Sequence, residues 1–145
     1  VRFDRIRRET LCQPRNSDEL RAELLDMRHK MRQEHDANAR LDTARSPKHC
    51  SGGLIDLEFI AQLGILSSAQ AYPRVLQVNS TLEQIGQLRS IGWLTPEEAD
   101  VLTKTAQTLS QCRMISSLLA DEPAPSLDTR ASAEIFAQKL GPANP

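Results

Sequence analysis

The residues best suited to chemistry lie in one run: Lys48, His49, Cys50, Ser51, Gly52, Gly53, Leu54, Ile55, Asp56, Leu57, Glu58, Phe59, Ile60, Ala61, Gln62. Two adjacent glycines open backbone angles closed to other residues and let a ligand or a neighbouring domain come close. A helix that starts just after Gly53 would leave its first N–H groups free to hold an anion. Lys48, four residues before Gly52, adds a mobile positive charge beside them. Together Lys48, Gly52 and Gly53 read as a phosphate-binding loop. The plainer reading of Lys48 is a solvated surface lysine.

Asp56 and Glu58 look like a metal-binding Asp-x-Glu pair, which a strand would project from one face. On a helix they point about 200° apart, at ~100° per residue, and do not readily share one ion. Asp56 therefore has two readings: an acid at the third helical position reaching back to the N–H of the capping Gly53, or a direct functional carboxylate. Glu58, with Gln62 and Ile65, forms a mixed polar face that is either solvent-exposed or functional. His49 beside Cys50 suggests zinc or thiol chemistry, but no second ligand pair stands at metal spacing and no third group orients a nucleophile. His29 and His35 read as solvated, and Met27 and Met31 as core. No Gly-x-Gly-x-x-Gly, Walker loop or Ser/His/Asp arrangement is present. The sequence thus assigns neither a metal ligand set nor a catalytic residue.

Six helical segments and no convincing strand surround this run, so the expected fold is all-α: an antiparallel bundle of about five to six helices. Phe3, Ile6 and Leu11 give a short first helix that Pro14 closes. Asn16 with Glu19 predicts a capping box for the second, with Leu20, Leu24, Met27 and Met31 on one face. Its acids gather near the start and Arg28, Lys30 and Arg32 near the end, which suits the helix dipole. From Gln33 to Ser51 the periodicity lapses and a long loop is expected. The third helix follows Gly53 and buries Ile55, Phe59, Leu63 and Leu66, and Tyr72-Pro73 ends that region. Ser80 with Glu83 caps a fourth helix carrying Leu82, Ile85 and Leu88, which Gly92 terminates. Thr95-Pro96-Glu97-Glu98 starts a long fifth helix burying Leu102, Ala106, Leu109, Cys112 and Leu119. After a break at Asp121-Glu122-Pro123-Ala124-Pro125, a last helix runs near Ala131 to Leu140 and stops at Gly141-Pro142.

Composition narrows the class. At 145 residues the chain reads as a single domain, residues 1–145, able to bury a core without disulfides or metal. Its net charge of -1 argues against a nucleic-acid module, although residues 1–48 hold 12 of the 18 Lys and Arg. The basic run Arg5 to Arg8 has no interleaved aromatics to stack on bases. Cys12, Cys50 and Cys112 are odd in number and lack Cys-x-x-Cys pairing, which suits a reducing cytoplasm. No signal peptide or long apolar run points to a membrane. The chain opens at Val1 in a charged segment without an initiator Met, as a fragment of a longer protein would.

The run Lys48, then Gly52-Gly53-Leu54-Ile55-Asp56-Leu57-Glu58-Phe59-Ile60-Ala61-Gln62, closely resembles the Lys…Gly-Gly…Asp-x-Glu-Phe…Gln motif of bacterial glutamine synthetase adenylyltransferases. Those are two-headed enzymes that add AMP to glutamine synthetase and remove it. The order of elements is similar too: a charged helical lead-in, the motif, a helix leading to the Gly92-Trp93-Leu94 turn, and a further long helix. The likeness covers most of the chain and is specific from about Lys48 to Leu66. It implies the helical bundle of the C-terminal, AMP-adding half, an assignment Asp56 favours because the other half tends to carry a different residue there. Arg45-Ser46-Pro47 stands where that family usually has an aromatic and an aspartate, and Ser51 where it often has proline.

The resemblance carries further expectations. A nucleotidyltransferase domain with metal-binding aspartates after a Gly-Ser turn belongs upstream; this chain has no Gly-Ser dipeptide, so the fragment alone is expected to be inactive. The parent would use Mg2+ and ATP, neither held by the fragment alone, and its partners would be glutamine synthetase and the PII signalling protein. Lys48, Gly52 and Gly53 would close over the nucleotide phosphates, with Asp56, Glu58 and Gln62 supporting the loop and helix head. The alternatives are a non-catalytic module docking glutamine synthetase or PII, and the helical part of a related PII uridylyltransferase.

Overall fold

In the computed structural model, residues 2–38, 46–118 and 128–141 are described, and every regular element among them is helical. The order is α1 (Arg2–Leu11), α2 (Ser17–Asn38), α3 (Leu54–Ser68), a short 3-10 helix (Pro73–Gln77), α4 (Thr81–Ser90), α5 (Pro96–Leu118) and α6 (Arg130–Leu140). The all-α bundle expected from the sequence is what forms. Its centre is α3, which packs against α2, α4, α5 and α6. A helix apolar nearly all round has no solvent side to offer and must sit in the middle. Ile55, Leu57, Phe59, Ile60, Ala61, Leu63 and Ile65 are all buried, and only Glu58 and Gln62 are exposed between the two ends of α3.

Local chemistry sets the helix ends. Asn16 Oδ1 accepts from the amides of Asp18 and Glu19 at 2.9 and 3.4 Å and opens α2. Ser80 and Glu83 form a reciprocal capping box on α4, and Thr95 and Glu98 form another on α5, with Glu98 N–H donating to Thr95 Oγ1 at 3.1 Å and Thr95 N–H to Glu98 Oε2 at 2.9 Å. Gly92, at φ +76°, closes α4: its N–H bonds Arg89 O and that of Trp93 bonds Leu88 O, the paired bonds of a Schellman end.

The structure differs from the sequence expectations in several places. α2 runs on through Gln33 to Asn38, where a loop is expected, and His35 in this stretch stacks on His49 of the following turn. Met27 and Met31 are 52% and 37% exposed, and the inward stripe is instead Leu20, Leu24 and Arg28. α1 buries no residue, with Phe3 and Ile6 on its surface. Ile65 joins the core rather than a polar face, Leu82 is exposed, Cys112 is only partly buried, and the 3-10 helix adds Val75 and Leu76 to the core. Leu119, the Asp121 to Pro125 break and Pro142 lie outside the described residues.

Candidate functional site

The head of α3 is built by the turn before it. Ser46 O accepts from the amides of His49 and Cys50 at 3.1 and 2.9 Å, which curls residues 46–50 tightly. The curled carbonyls then face the start of α3. Cys50 O takes the N–H of Gly53 at 2.9 Å, Pro47 O that of Leu54 at 3.1 Å and Lys48 O that of Ile55 at 3.2 Å. Gly52 N–H goes to Asp56 Oδ2 at 2.7 Å.

Four successive amides, Gly52 to Ile55, are already donated within the chain, so none of them is free for an external phosphate. Asp56 does sit at the third helical position, but it holds the amide of Gly52 rather than that of Gly53. Gly52 and Gly53 are both buried. At Gly52, with φ +71°, an added Cβ would lie 2.4 Å from Thr129 O and 2.6 Å from Ala133 N, both backbone atoms at the start of α6. α6 is hydrogen-bonded onto the loop there: Thr129 Oγ1 donates to Ser51 O at 2.7 Å, and Ser132 Oγ lies 2.7 Å from Gly52 O.

Across the loop from α6, Arg28 of α2 completes the assembly. Its Nε donates to Asp56 Oδ1 and its Nη2 to His49 O at 3.2 Å, while its Nη1 is buried with no hydrogen-bond partner. Arg28 and Asp56 are 3% and 1% exposed, so the pair is an interior one. One carboxylate thereby ties α2, the loop and α3 together. Sequence reasoning assigned Arg28 to a dipole-favoured surface. The signal that identifies it is its position four residues after Leu24, which is itself four after Leu20, on the inward stripe.

A cleft of about 350 Å³ opens between the C-terminal half of α2 and this turn, bounded by Arg28, Arg32, His35 and Asp36 on one side and His49, Cys50 and Ser51 on the other. Arg32, one helical turn beyond Arg28, also has a buried guanidinium nitrogen, Nη2, with no partner. The rings of His35 and His49 stack at 3.6 Å, 19° from parallel. Burial pushes the His49 pKa down, and the nearby His35, Lys48 and Arg28 push the same way against Asp36, so the ring stays neutral near pH 7. Burial pushes the Cys50 thiol up, the opposite of what a thiolate nucleophile needs.

Of the residues singled out from the sequence, Lys48, Gly52, Gly53 and Asp56 come together in this one loop, with Lys48 exposed at its surface. Glu58 and Gln62 do not join them. Both are exposed on α3 and neither hydrogen-bonds to the loop among the described residues, whereas Asp56 and Arg28 do.

Comparison with known proteins adds an independent line. A family model described as GlnD PII-uridylyltransferase matches residues 22–144. The chain is 40% identical over 102 residues to a bifunctional glutamine synthetase adenylyltransferase/adenylyl-removing enzyme of Methylococcus capsulatus, covering 70% of this chain and 10% of the relative. Proteins of the same description from Nitrosomonas eutropha, 39% identical over 64% of this chain and 9% of the relative, and from Xanthomonas campestris pv. campestris, 36% identical over 80% and 12%, are similar to it as well. The chain spans about a tenth of the length of these curated relatives.

Proposed function

Since this chain belongs to the GlnD PII-uridylyltransferase family and is homologous to one segment of glutamine synthetase adenylyltransferase/adenylyl-removing enzymes, we propose that it is a helical domain following a nucleotidyltransferase domain in such an enzyme. The whole protein, on this reading, transfers AMP from ATP to a tyrosine of glutamine synthetase in the cytoplasm and answers to PII. The observation that carries it is the family match over residues 22–144, which takes in most of α2, the glycine loop and α3 together.

The chemistry of the loop fits a supporting role beside a nucleotide. Lys48 is exposed, while the backbone on either side of it is pinned by the turn at Ser46 and by the bond from Ile55 N–H to Lys48 O. A lysine on a fixed backbone is a point charge that can be held near phosphate oxygens without the whole loop having to order first. Asp56 and Arg28 provide the fixing. The glycine amides do not take part, because they are occupied. On this reading Mg2+ belongs to the nucleotidyltransferase domain upstream, and no step here runs through it.

The test is Lys48→Ala in the full-length enzyme. Adenylylation of glutamine synthetase should fall about tenfold, the loss of one charge-assisted contact, with the unfolding midpoint unchanged. Unaltered turnover would remove the phosphate role. A second reading, favoured by the family model's own description, is transfer of UMP to PII. Turnover with ATP against UTP separates the two.

A further inference from the structure

We propose that the cleft between the C-terminal half of α2 and the 46–51 turn is a binding site for a phosphate-type oxyanion, with Arg28 Nη1 and Arg32 Nη2 as its donors. This goes beyond the preceding reading, because neither arginine belongs to the glycine motif and the site is complete within this chain.

Two observations carry it. The first is the pair of orphaned donors. Buried polar groups are almost always hydrogen-bonded, and a charged one left unpaired is the costliest kind, yet two arginines that line one cleft each keep a guanidinium nitrogen buried without a partner. Arg28 is itself 3% exposed, so its free nitrogen cannot turn outward to water. The second is the arrangement of charge. Asp56 is committed to Arg28 and to Gly52 N–H, and the cleft's other acid, Asp36, lies 3.8 Å from His35 Nδ1 and acts on His49, as does Lys48. Leaving the rings aside, Arg28, Arg32 and Lys48 stand against the two acids, so an anion entering the cleft meets a surplus of one positive charge.

Geometry selects the class of anion. Arg28 and Arg32 stand four residues apart, on one side of α2, and each offers a single nitrogen. A planar carboxylate is best met by both nitrogens of one guanidinium. A tetrahedral oxyanion, with oxygens in several directions, can take one donor from each arginine. The cleft of about 350 Å³ has room for a phosphate group, whether inorganic or at the end of a nucleotide.

The experiment is a titration of the 145-residue chain, at fixed ionic strength, with sulfate, inorganic phosphate, pyrophosphate and ATP, following the ring resonances of His35 and His49. The site predicts saturable shifts at both rings. Arg32→Gln should weaken binding about tenfold with the urea midpoint unmoved, and Arg32→Lys should weaken it less. Arg32 is the informative position because removing Arg28 would strand Asp56. Much tighter binding of ATP and pyrophosphate than of phosphate assigns the site to a nucleotide tail, and equal binding assigns it to free phosphate. Shifts that never saturate, an Arg32→Gln chain that binds as well as the parent, or an equal loss in the exposed control Arg113→Gln would each overturn the proposal. None of those outcomes bears on the Lys48 experiment.

Discussion

Arg28 and Asp56 stand in for each other's solvent. Each lost its water on folding, at several kcal/mol per ion, and the loss is offset only while the two remain paired and their other polar atoms are used. Asp56→Ala removes the counter-charge of Arg28 and the acceptor of Gly52 N–H in one step. Destabilisation of about 3–5 kcal/mol is expected, read as a lower urea midpoint at unchanged slope. Asp56→Asn keeps an acceptor for Gly52 and should lose less. A wild-type midpoint in Asp56→Ala would mean that the pair constrains nothing. The sequence makes half of this legible. An acid at the third position of a helix is a local pattern, and Asp56 does reach back toward the chain before it. Its other partner comes from 28 residues away, beyond any capping rule. Arg28 in turn was obscured by Met27 beside it, which continues the Leu20 and Leu24 stripe equally well at a three-residue step.

Glycines separate local geometry from packing between elements. Gly92 and Gly52 share a left-handed backbone, at φ +76° and +71°, but only Gly52 faces another helix. Gly92→Ala should cost about 1–2 kcal/mol, the conformational penalty alone. Gly52→Ala carries that penalty too, and in addition must push back Thr129 O and Ala133 N, so it should be clearly the worse of the two. Gly86, inside α4 with nothing within 4 Å, should become more stable by about 0.5–1 kcal/mol as alanine. Thermal or urea unfolding of the three variants checks the order; equal losses at Gly52 and Gly92 would mean that α6 does not seat on the loop. The starts of α2, α4 and α5 were legible for the same reason that Gly92 was, since a cap and its acceptors lie within a few residues. The crowding at Gly52 was not, because it is made by residues some eighty positions later. Nor was the far end of α2: a polar helix tail and a polar loop have the same composition.

At the scale of the molecule, α1 and α6 are opposites. α1 has no buried residue, and it is tied on chiefly by Arg7, whose guanidinium donates to Leu76 O at 2.7 Å, and by Leu11 and Cys12 packed at the core's edge. α6 inserts Ile135, Phe136 and Leu140 into the core, packs on α2, α3 and α5, and holds the α4–α5 turn through Lys139, 3.1 Å from Glu98 and over the Trp93 ring. Burying three such side chains contributes about 5–9 kcal/mol, against a total stability of about 5–15 kcal/mol for an ordinary domain. Removing residues 128–145 should therefore abolish cooperative unfolding. The same deletion uncovers Gly52, so the loop beneath it loses the helix that presses it onto Asp56. Removing residues 1–13 should leave a single cooperative transition, lowered by about 1–2 kcal/mol for the lost Arg7 bond and edge packing. Calorimetry of the two truncations decides between them. The extent of the family match, which starts inside α2 and includes α6, divides the chain the same way. A cooperative transition in the chain lacking α6 would show that α3 is held by α2, α4 and α5 without it, and that the clamp on Gly52 is dispensable to the fold.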